Sequence, residues 1–381
     1  MASDSSALEL IADTPRLGTL GWNDFFAGQL PGLEQDLVSS GSLHARVVRV
    51  VGVERTGLTI APSTGLLTDQ VPVSGRWFRG DEATRPTVGD WVVVDAETGS
   101  LLQMFERRSL IQRINPLGAL QLIAANVDTA LIVTSCNADF SPERLERYLS
   151  VVLEAGIEPV LVLTKTDLSD QVDAFAGVLA ERFPDVARVL LNALSAAAVQ
   201  ALLPWCGPGQ TLALLGSSGV GKSSLVNTLL GYQVQLTAAI REEDAKGRHT
   251  TTNRTLHQLP SGGVILDSPG MRELQLAEAE EGLDQLFADL ETLAGSCRFS
   301  DCAHGAEPGC AVVAALNSGA LDPERLQSYQ ALKAEEARNR ESLAQRRSRD
   351  RAFGKKVRSA MKTKMKTHKN QRSLEDDDPP L

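Results

Sequence analysis

The sequence contains few cysteines and no long apolar run, and each shortage excludes a class of protein. Five cysteines in 381 residues are too few for the disulfide framework of small secreted proteins. No apolar stretch approaches the roughly 18 to 20 residues of a membrane span, and the N-terminus lacks the basic and apolar regions of a signal peptide. We therefore expect a folded cytoplasmic protein with reduced thiols and no membrane partner.

The net charge of −10 argues against a uniformly basic nucleic-acid binder, but the charge is unevenly distributed. Residues 338–372 contain fourteen lysines or arginines against Glu341 and Asp350, a net charge of +12, whereas residues 1–337 carry −18. A basic run is often only solvated surface. Beside an acidic body, this one favours an RNA-binding arm, and it lacks the wide apolar face of a membrane-surface helix.

The N-terminal part of the chain is predicted to contain a leader and a small β domain. Residues 1–42 lack sustained periodicity and are expected to form a loosely attached, partly disordered leader with a short helix near Trp22. Residues 43–115 contain short β-branched segments separated by turn residues, which indicates an all-β barrel of the OB-fold or SH3-like kind. Its aromatic residues Trp77, Phe78 and Trp91 are candidates for stacking on RNA bases, although such positions more often form core.

Residues 116–275 are predicted to form an α/β domain. Near-continuous apolar segments, DTALIVTS, PVLVLTKTD, RVLLNALS, TLALLGSSG and GVILDSPG, alternate there with helical stretches. Continuous apolarity indicates strands buried on both faces, hence a parallel sheet covered by helices. Residues 276–347 are expected to form a mostly α-helical domain, and residues 348–381 a basic tail that is helical at first and then disordered.

A phosphate-binding loop follows one of these strands. The pattern G-x-x-x-x-G-K-S lies between the apolar strand TLALL and the helical SLVNTLL. The glycines let the loop turn its N–H groups toward phosphate oxygens, with Lys222 on the β and γ phosphates and Ser223 on a magnesium ion. The predicted nucleotide ligands are Gly216, Ser217, Ser218, Gly219, Val220, Gly221, Lys222, Ser223 and Ser224.

Two further segments match elements that sense the γ-phosphate. In Asp267-Ser-Pro-Gly270, Asp267 would support the magnesium shell and the Gly270 amide would contact the γ-phosphate. A strand-ending Asp before Pro-Gly is also an ordinary turn, but its position after a P-loop favours the functional interpretation. Thr250 and Thr251 lie in the hydroxyl-rich loop 247–252, a candidate for the second magnesium ligand.

The base is predicted to be guanine. Thr164, Lys165, Thr166 and Asp167 follow the strand PVLVL and are close to the N-K-x-D sequence that recognises guanine. The Asp167 carboxylate would accept hydrogen bonds from the ring N1–H and the exocyclic amine, a donor pair that adenine lacks. Thr164 replaces the usual Asn, which weakens the predicted tie between this loop and the base. The segment 192–196 is a candidate for a backbone amide at the guanine carbonyl oxygen.

These motifs occur in an unusual order. In ordinary GTPases the P-loop precedes the base-reading motif, whereas here TKTD at 164 precedes the P-loop at 216 and DSPG at 267. The order predicts a circularly permuted GTPase domain in which the segment after Gly270 leads directly into the C-terminal domain. Gain or loss of the γ-phosphate would then move that domain through an order–disorder change.

A cysteine and histidine cluster lies in the predicted C-terminal domain. Cys297, Cys302, His304 and Cys310 offer three thiolates and one imidazole within fourteen residues. This set suffices for a closed tetrahedral site, so we expect one structural zinc ion.

Together, the barrel, GSSGVGKSSL, GRHTTT, DSPG and Cys-x4-Cys-x-His-x5-Cys resemble the ribosome small-subunit-dependent GTPase A family, also called RsgA or YjeQ. The resemblance extends from about Leu43 to about Arg347. It implies that the barrel is an OB-fold, that GTP hydrolysis is stimulated by the small (30S) ribosomal subunit, and that the protein acts in late maturation of that subunit.

The resemblance also suggests a catalytic residue. Many GTPases orient the attacking water with a Gln after D-x-x-G, where this chain has Met271. The resemblance points instead to His249, and the alternative is that His249 only shapes its loop or contacts the ribosome.

Two other functions stay open at this point. A nucleotide-gated rRNA-binding scaffold with incidental hydrolysis is compatible with Met271, whose side chain cannot position water by hydrogen bonding. A P-loop kinase is disfavoured by TKTD and by the lack of an evident substrate domain. The predicted partners are GTP and GDP with Mg²⁺, the small ribosomal subunit and its rRNA, and the protein is expected to be a monomer.

Overall fold

The computed structural model describes residues 9–11, 17–39, 44–54, 57–61, 69–73, 75, 77, 82–114, 119–232, 255–267, 279–305 and 307–340. The strands are β1 Glu9–Ile11, β2 His44–Val53, β3 Gly57–Ala61, β4 Asp69–Pro72, β5 Trp91–Asp95, β6 Leu101–Met104, β7 Leu110–Ile114, β8 Leu120–Ala125, β9 Thr129–Ser135, β10 Glu158–Thr164, β11 Ala187–Leu190, β12 Thr211–Leu215, β13 Thr255–Gln258 and β14 Val264–Asp267.

The helices are α1 Asp24–Ala27, α2 Leu30–Ser39, α3 Pro142–Glu154, α4 Val172–Arg182, α5 Ala197–Leu202, α6 Lys222–Leu230, α7 Glu280–Leu286, α8 Ala288–Gly295, α9 Ala311–Asn317 and α10 over residues 323–340. Single turns of 3-10 helix span Glu82–Thr84, Thr166–Leu168 and Leu203–Trp205. Among the described helices, none is long and apolar enough to cross a membrane.

The N-terminal sheet is antiparallel apart from one short strand. Its order is β4-β3-β2-β5-β6, and β1 pairs with β2 in parallel. Register irregularities between Val50 and Gly52 of β2 and between Val93 and Val94 of β5 bend the sheet. In the described part of the chain the edge strands β4 and β6 do not pair with each other. The predicted β barrel therefore takes the form of a curled antiparallel sheet. β7 and β8 form a separate two-stranded sheet.

Residues 17–39 differ from the expected loosely attached leader because their apolar side chains complete the core of this sheet. Leu17, Trp22 and Phe26 are buried and pack against Trp91 and its neighbours on one face. The Trp22 and Trp91 rings meet edge to face, with centroids 4.9 Å apart at 82°. The short helix expected near Trp22 is present as α1, but the sequence did not indicate that these side chains would pack on the sheet.

The aromatic residues considered for RNA stacking have different positions. Trp91 is 0% exposed, which confirms the core interpretation for this residue. Trp77 is partly buried against the cluster on the opposite face of the sheet. Phe78 lies outside the described residues.

The second large sheet has the order β11-β10-β9-β12-β14-β13. The five apolar segments that predicted a parallel sheet form β9, β10, β11, β12 and β14, and all of them pair in parallel. The prediction is therefore confirmed for these strands. β13 adds an antiparallel edge strand that was not predicted, because its four residues, TLHQ, are few and half of them are polar.

Helices cover both faces of this sheet. On one face, α3 packs with the C-terminal helices through a cluster that includes Leu149, Leu283 and Leu326. On the other face lie α5 and α6, which contribute Leu202 and Leu225. The chain runs outward from β9 to β10 and β11 and then returns to β12 on the other side of β9. A crevice is expected where the order reverses, beyond the carboxyl ends of β9 and β12.

Arg49 of β2 joins the N-terminal sheet to the α/β sheet. Its side chain is fully buried and donates hydrogen bonds to the Thr211 hydroxyl at 2.9 Å and to the backbone carbonyls of Asn126 at 3.1 Å and Gly89 at 3.2 Å. It also donates to the carbonyl of Leu20. Because Thr211 is the first residue of β12, one guanidinium connects the leader, β2 and the strand that enters the phosphate loop.

The charge of Arg49 is preserved despite its burial. Burial lowers the pKa of Arg49 to about 10, while the Asp128 and Asp90 carboxylates act in the opposite direction. Asp128 also accepts a hydrogen bond from the Thr211 N–H at 2.8 Å. At neutral pH the guanidinium therefore remains protonated, with oxygen acceptors around it.

Replacing Arg49 should destabilise the protein far more than replacing Arg46 on the same strand. Arg49→Leu leaves buried acceptors without a donor, so we expect a loss of about 3 kcal/mol or more in the free energy of unfolding. Arg46 reaches half-exposed Asp69 at 3.3 Å, and Arg46→Leu should cost less than about 1 kcal/mol. Urea unfolding followed by tryptophan fluorescence measures both losses, and equal losses would contradict the central role of Arg49.

Candidate nucleotide-binding site and metal centre

The loop between β12 and α6 has the conformation of a phosphate cradle. Gly216, Gly219 and Gly221 have φ values of 139°, 82° and 97°, in the left-handed region that favours glycine. A Cβ added to Gly216 would lie 2.2 Å from the carbonyl oxygen of Val133 on β9, so a larger residue would displace the loop. α6 begins at Lys222, and its first N–H groups have no acceptor within the helix.

The Lys222 side chain folds back over this loop. Its ammonium donates to the carbonyl of Gly216 at 2.7 Å and to the carbonyl of Ser217. Ser223 and Ser224 follow in the first turn of α6 and are half-buried. The lysine charge thus lies beside the turn that the glycines form.

Thr164 ties the predicted base-reading loop to the phosphate loop. Its side chain is 0% exposed, and its hydroxyl lies 2.6 Å from the Val220 carbonyl and 2.9 Å from the Thr134 carbonyl. A hydroxyl has one proton, so it donates to one carbonyl at a time. The hydroxyl in place of the usual Asn amide therefore makes a direct connection between the two loops.

The third loop of the predicted site meets the other two. The Thr228 hydroxyl of α6 donates to the Ala193 carbonyl at 2.7 Å. A Cβ on Gly221 would lie 3.5 Å from Thr164 Oγ1 and 3.6 Å from Ala193 Cβ. Segments 164–167, 192–196 and 216–223 are thus neighbours, although up to 59 positions separate their residues in the sequence.

Asp167 lies at the outer side of this group of loops. It belongs to the single turn Thr166–Leu168 and is exposed, whereas Lys165 before it has a left-handed φ of 58°. An exposed carboxylate beside the phosphate loop is free to accept hydrogen bonds from a ligand.

The remaining predicted γ-phosphate residues are only partly described. Asp267 is the last residue of β14, which pairs with β12, so its backbone lies beside the strand that enters the phosphate loop. His249, Thr250, Thr251 and Gly270 lie outside the described residues.

The four predicted metal ligands come together in the C-terminal region. The ligand atoms of Cys297, Cys302, His304 and Cys310 all lie within 4.8 Å of one another. Cys297 Sγ is 3.8 Å from Cys310 Sγ, and both sulfurs are 3.6 Å from His304 Nδ1. A tetrahedral zinc ion with Zn–S bonds of about 2.3 Å separates its sulfur ligands by about 3.8 Å. The donor set and its spacing fit a metal ion such as zinc.

Local backbone groups favour one thiolate of this cluster. Burial opposes ionisation of Cys297, but hydrogen bonds from the Ala311 and Val312 backbone and with the neighbouring cysteines together outweigh it, so the pKa of this thiol lies below its ordinary value. Cys310 caps α9, because its sulfur accepts a hydrogen bond from the Val313 N–H at 3.4 Å. Cys310 and Val312 also belong to the core cluster that contains α3. A metal ion here would therefore fasten α9 to the body of the protein.

Comparison with known proteins identifies the family. A family model described as RsgA GTPase matches residues 104–277. A Vibrio parahaemolyticus protein named small ribosomal subunit biogenesis GTPase RsgA 2 is 45% identical over 359 residues, which cover 94% of this chain and 96% of that protein. The chain belongs to the RsgA GTPase family. A Mesorhizobium japonicum protein named small ribosomal subunit biogenesis GTPase RsgA is 45% identical over 335 residues, or 86% of this chain and 92% of that protein.

Solved structures of RsgA relatives share the fold. The crystal structure of YjeQ from Thermotoga maritima superposes with a TM-score of 0.57 at 25% identity, covering 76% of this chain and 98% of that one. YloQ, described as a circularly permuted GTPase, gives a TM-score of 0.54 at 26% identity, covering 77% and 97%. The predicted circular permutation and the predicted family are therefore confirmed.

Replacing one cluster cysteine should remove the metal from this RsgA family member. We expect about one zinc ion per purified chain, lost in Cys310→Ser together with thermal stability of the C-terminal helices. Cys206→Ser is the matched control, because Cys206 is buried away from the cluster and burial raises its pKa to about 11. Element-specific mass spectrometry measures the metal content. Equal metal content in the two variants would rule out the Cys3His site.

Proposed function

We propose that this protein hydrolyses GTP to GDP and phosphate when it binds the small ribosomal subunit, and that it acts in late maturation of that subunit. The observation that carries the proposal is the convergence of segments 164–167, 192–196 and 216–223 at the crevice beyond β9 and β12. The names of the relatives support the ribosomal role.

In this proposal each loop binds one part of the nucleotide. The 216–224 segment surrounds the phosphates, with Lys222 on the β and γ phosphates and Ser223 on Mg²⁺. Asp167 accepts hydrogen bonds from the N1–H and amine of guanine, and Lys165 lies along the base. Asp267 supports the magnesium ion, and Thr250, Thr251 and Gly270 respond to the γ-phosphate.

The C-terminal metal has a structural role in the proposal. A zinc ion on Cys297, Cys302, His304 and Cys310 would leave no open coordination position and would stabilise the region that follows the segment after Gly270. Because that segment leads directly into α7, a change at the γ-phosphate has a short covalent route to the C-terminal helices.

Contact with rRNA is proposed for two parts of the chain. The curled N-terminal sheet would act as an OB-fold, and the basic residues 338–372 would follow RNA phosphates. The protein would act as a monomer in the cytoplasm.

A second candidate function is a nucleotide-gated rRNA-binding scaffold. It is favoured by Met271, which occupies the position where many GTPases have a water-orienting Gln. In the GTPase proposal His249 takes over the task of acting on the attacking water, so the two candidates differ in what the His249 side chain does.

Measuring GTP turnover with and without small ribosomal subunits distinguishes the two candidates. We expect stimulation by the subunit, a preference for GTP over ATP, and a loss of stimulated turnover of roughly 100-fold in His249→Ala with GDP affinity retained. No stimulation of the unmodified protein would favour the scaffold. Full turnover by His249→Ala would remove this residue from the mechanism while leaving the GTPase proposal in place.

A further inference from the structure

Arg144 places a second positive charge at the phosphate loop. It lies in the first turn of α3, and its Nη1 donates to the Ser217 hydroxyl at 2.6 Å. Lys222 donates to the carbonyl of the same serine. Two cations from different parts of the chain thus contact one residue of the loop, although Arg144 and Ser217 are 73 positions apart.

The Arg144 guanidinium has no acidic partner among the described residues. Other arginines on or near α3 are paired, since Arg147 reaches Glu335 at 2.7 Å and Arg182 reaches Glu146 at 2.8 Å. Glu143, beside Arg144 on the helix, instead accepts a hydrogen bond from the Ser141 hydroxyl at 2.8 Å. Arg144 therefore holds a neutral acceptor, which binds a guanidinium less strongly than an anionic oxygen does.

The topology places this guanidinium across the crevice from α6. α3 follows β9 on one face of the sheet, and α6 follows β12 on the other face. The order of strands reverses between β9 and β12, where α/β proteins bind their ligands. A phosphate group in the loop would thus have the start of α6 on one side and Arg144 on the other.

The surroundings of Arg144 leave space for its side chain to move. Arg144 is only half-buried and borders a cavity of about 460 Å³ between α3 and α10. The Ser141 hydroxyl accepts a hydrogen bond from the Arg144 backbone N–H at 3.2 Å, so the backbone of Arg144 is held at the start of α3.

We propose that Arg144 is a phosphate-contacting catalytic residue of this GTPase, which exchanges the Ser217 hydroxyl for an oxygen of the terminal phosphate when GTP fills the loop. The proposal rests on the function proposed above. In the reaction, the oxygen of water bonds to the terminal phosphorus while the bond from that phosphorus to the bridging oxygen breaks. GDP leaves with the bonding electrons, and the proton of water passes to the phosphate product.

Arg144 transfers no proton in this step. It stays charged and stabilises the negative charge that develops on the phosphoryl oxygens and the bridging oxygen. An arginine supplied by the same chain in this way offsets part of the loss in hydrolysis rate that is expected because Met271 cannot orient the attacking water. GDP lacks the γ-phosphate, so its binding should depend little on Arg144.

Three variants test the proposal: Arg144→Ala, Arg144→Lys and, as the matched control one turn along α3, Arg147→Ala. We expect Arg144→Ala to lower kcat for GTP by about tenfold or more, with GDP affinity within about twofold of the unmodified protein. Its affinity for GDP with aluminium fluoride, which mimics the transferring phosphoryl group, should fall by a similar factor. Arg144→Lys should lose less than Arg144→Ala in both measurements. Arg147→Ala should leave both quantities at the values of the unmodified protein.

Other outcomes would overturn the proposal. Turnover and aluminium fluoride binding that match the unmodified protein would show that Arg144 does not act on the phosphate. Equal losses of GDP and GTP affinity with unchanged kcat would show that it only shapes the loop. If the unmodified protein hydrolysed no GTP at all, the proposed function would fail, and the aluminium fluoride measurement would still decide whether Arg144 contacts the phosphoryl position.

Discussion

The buried guanidinium of Arg49 is the interaction on which the arrangement of the two sheets depends. Removing a cation from water is costly unless its donors find acceptors. Here the acceptors come from the leader, from the turn before β5, from the residue after β8 and from the first residue of β12. All four segments must therefore be in place together. The strand that enters the phosphate loop is consequently fixed against the sheet that we propose contacts RNA.

The reversal of strand order at β9 and β12 explains why a permuted chain can still build one site. The loops that follow parallel strands meet at the same edge of the sheet, whatever their order in the sequence. Gly216 packs directly against β9, and Thr164 at the end of β10 reaches the carbonyl of Val220. Permutation changes which part of the chain follows the site, because the segment after Gly270 continues into the C-terminal helices and the Cys3His cluster.

Features with a local signal were predictable, and features that depend on distant pairing were not. The parallel strands follow from continuous apolarity, and the phosphate loop and the ligand cluster follow from short spacings. Nothing in the residue pattern indicated that Arg49 would meet Thr211, 162 positions away, or that Arg144 would meet Ser217. The packing of Leu17, Trp22 and Phe26 was equally hidden, since a short helix expected near Trp22 does not indicate which sheet it contacts. Thr164 in place of Asn was expected only to weaken the tie between its loop and the base. Its contact with the Val220 carbonyl was not foreseen, because the two residues are 56 positions apart.

The claim that the separated loops form one guanine site is tested most directly through Asp167. Asparagine at this position presents a donor where the carboxylate accepts, so Asp167→Asn should exchange recognition of guanine for recognition of xanthine, whose 2-position carries an oxygen instead of an amine. Titration with GDP and XDP should show tight binding of GDP by the unmodified protein and a preference for XDP by the variant. Unchanged GDP affinity in Asp167→Asn would contradict the account, because Asp167 would then not contact the base.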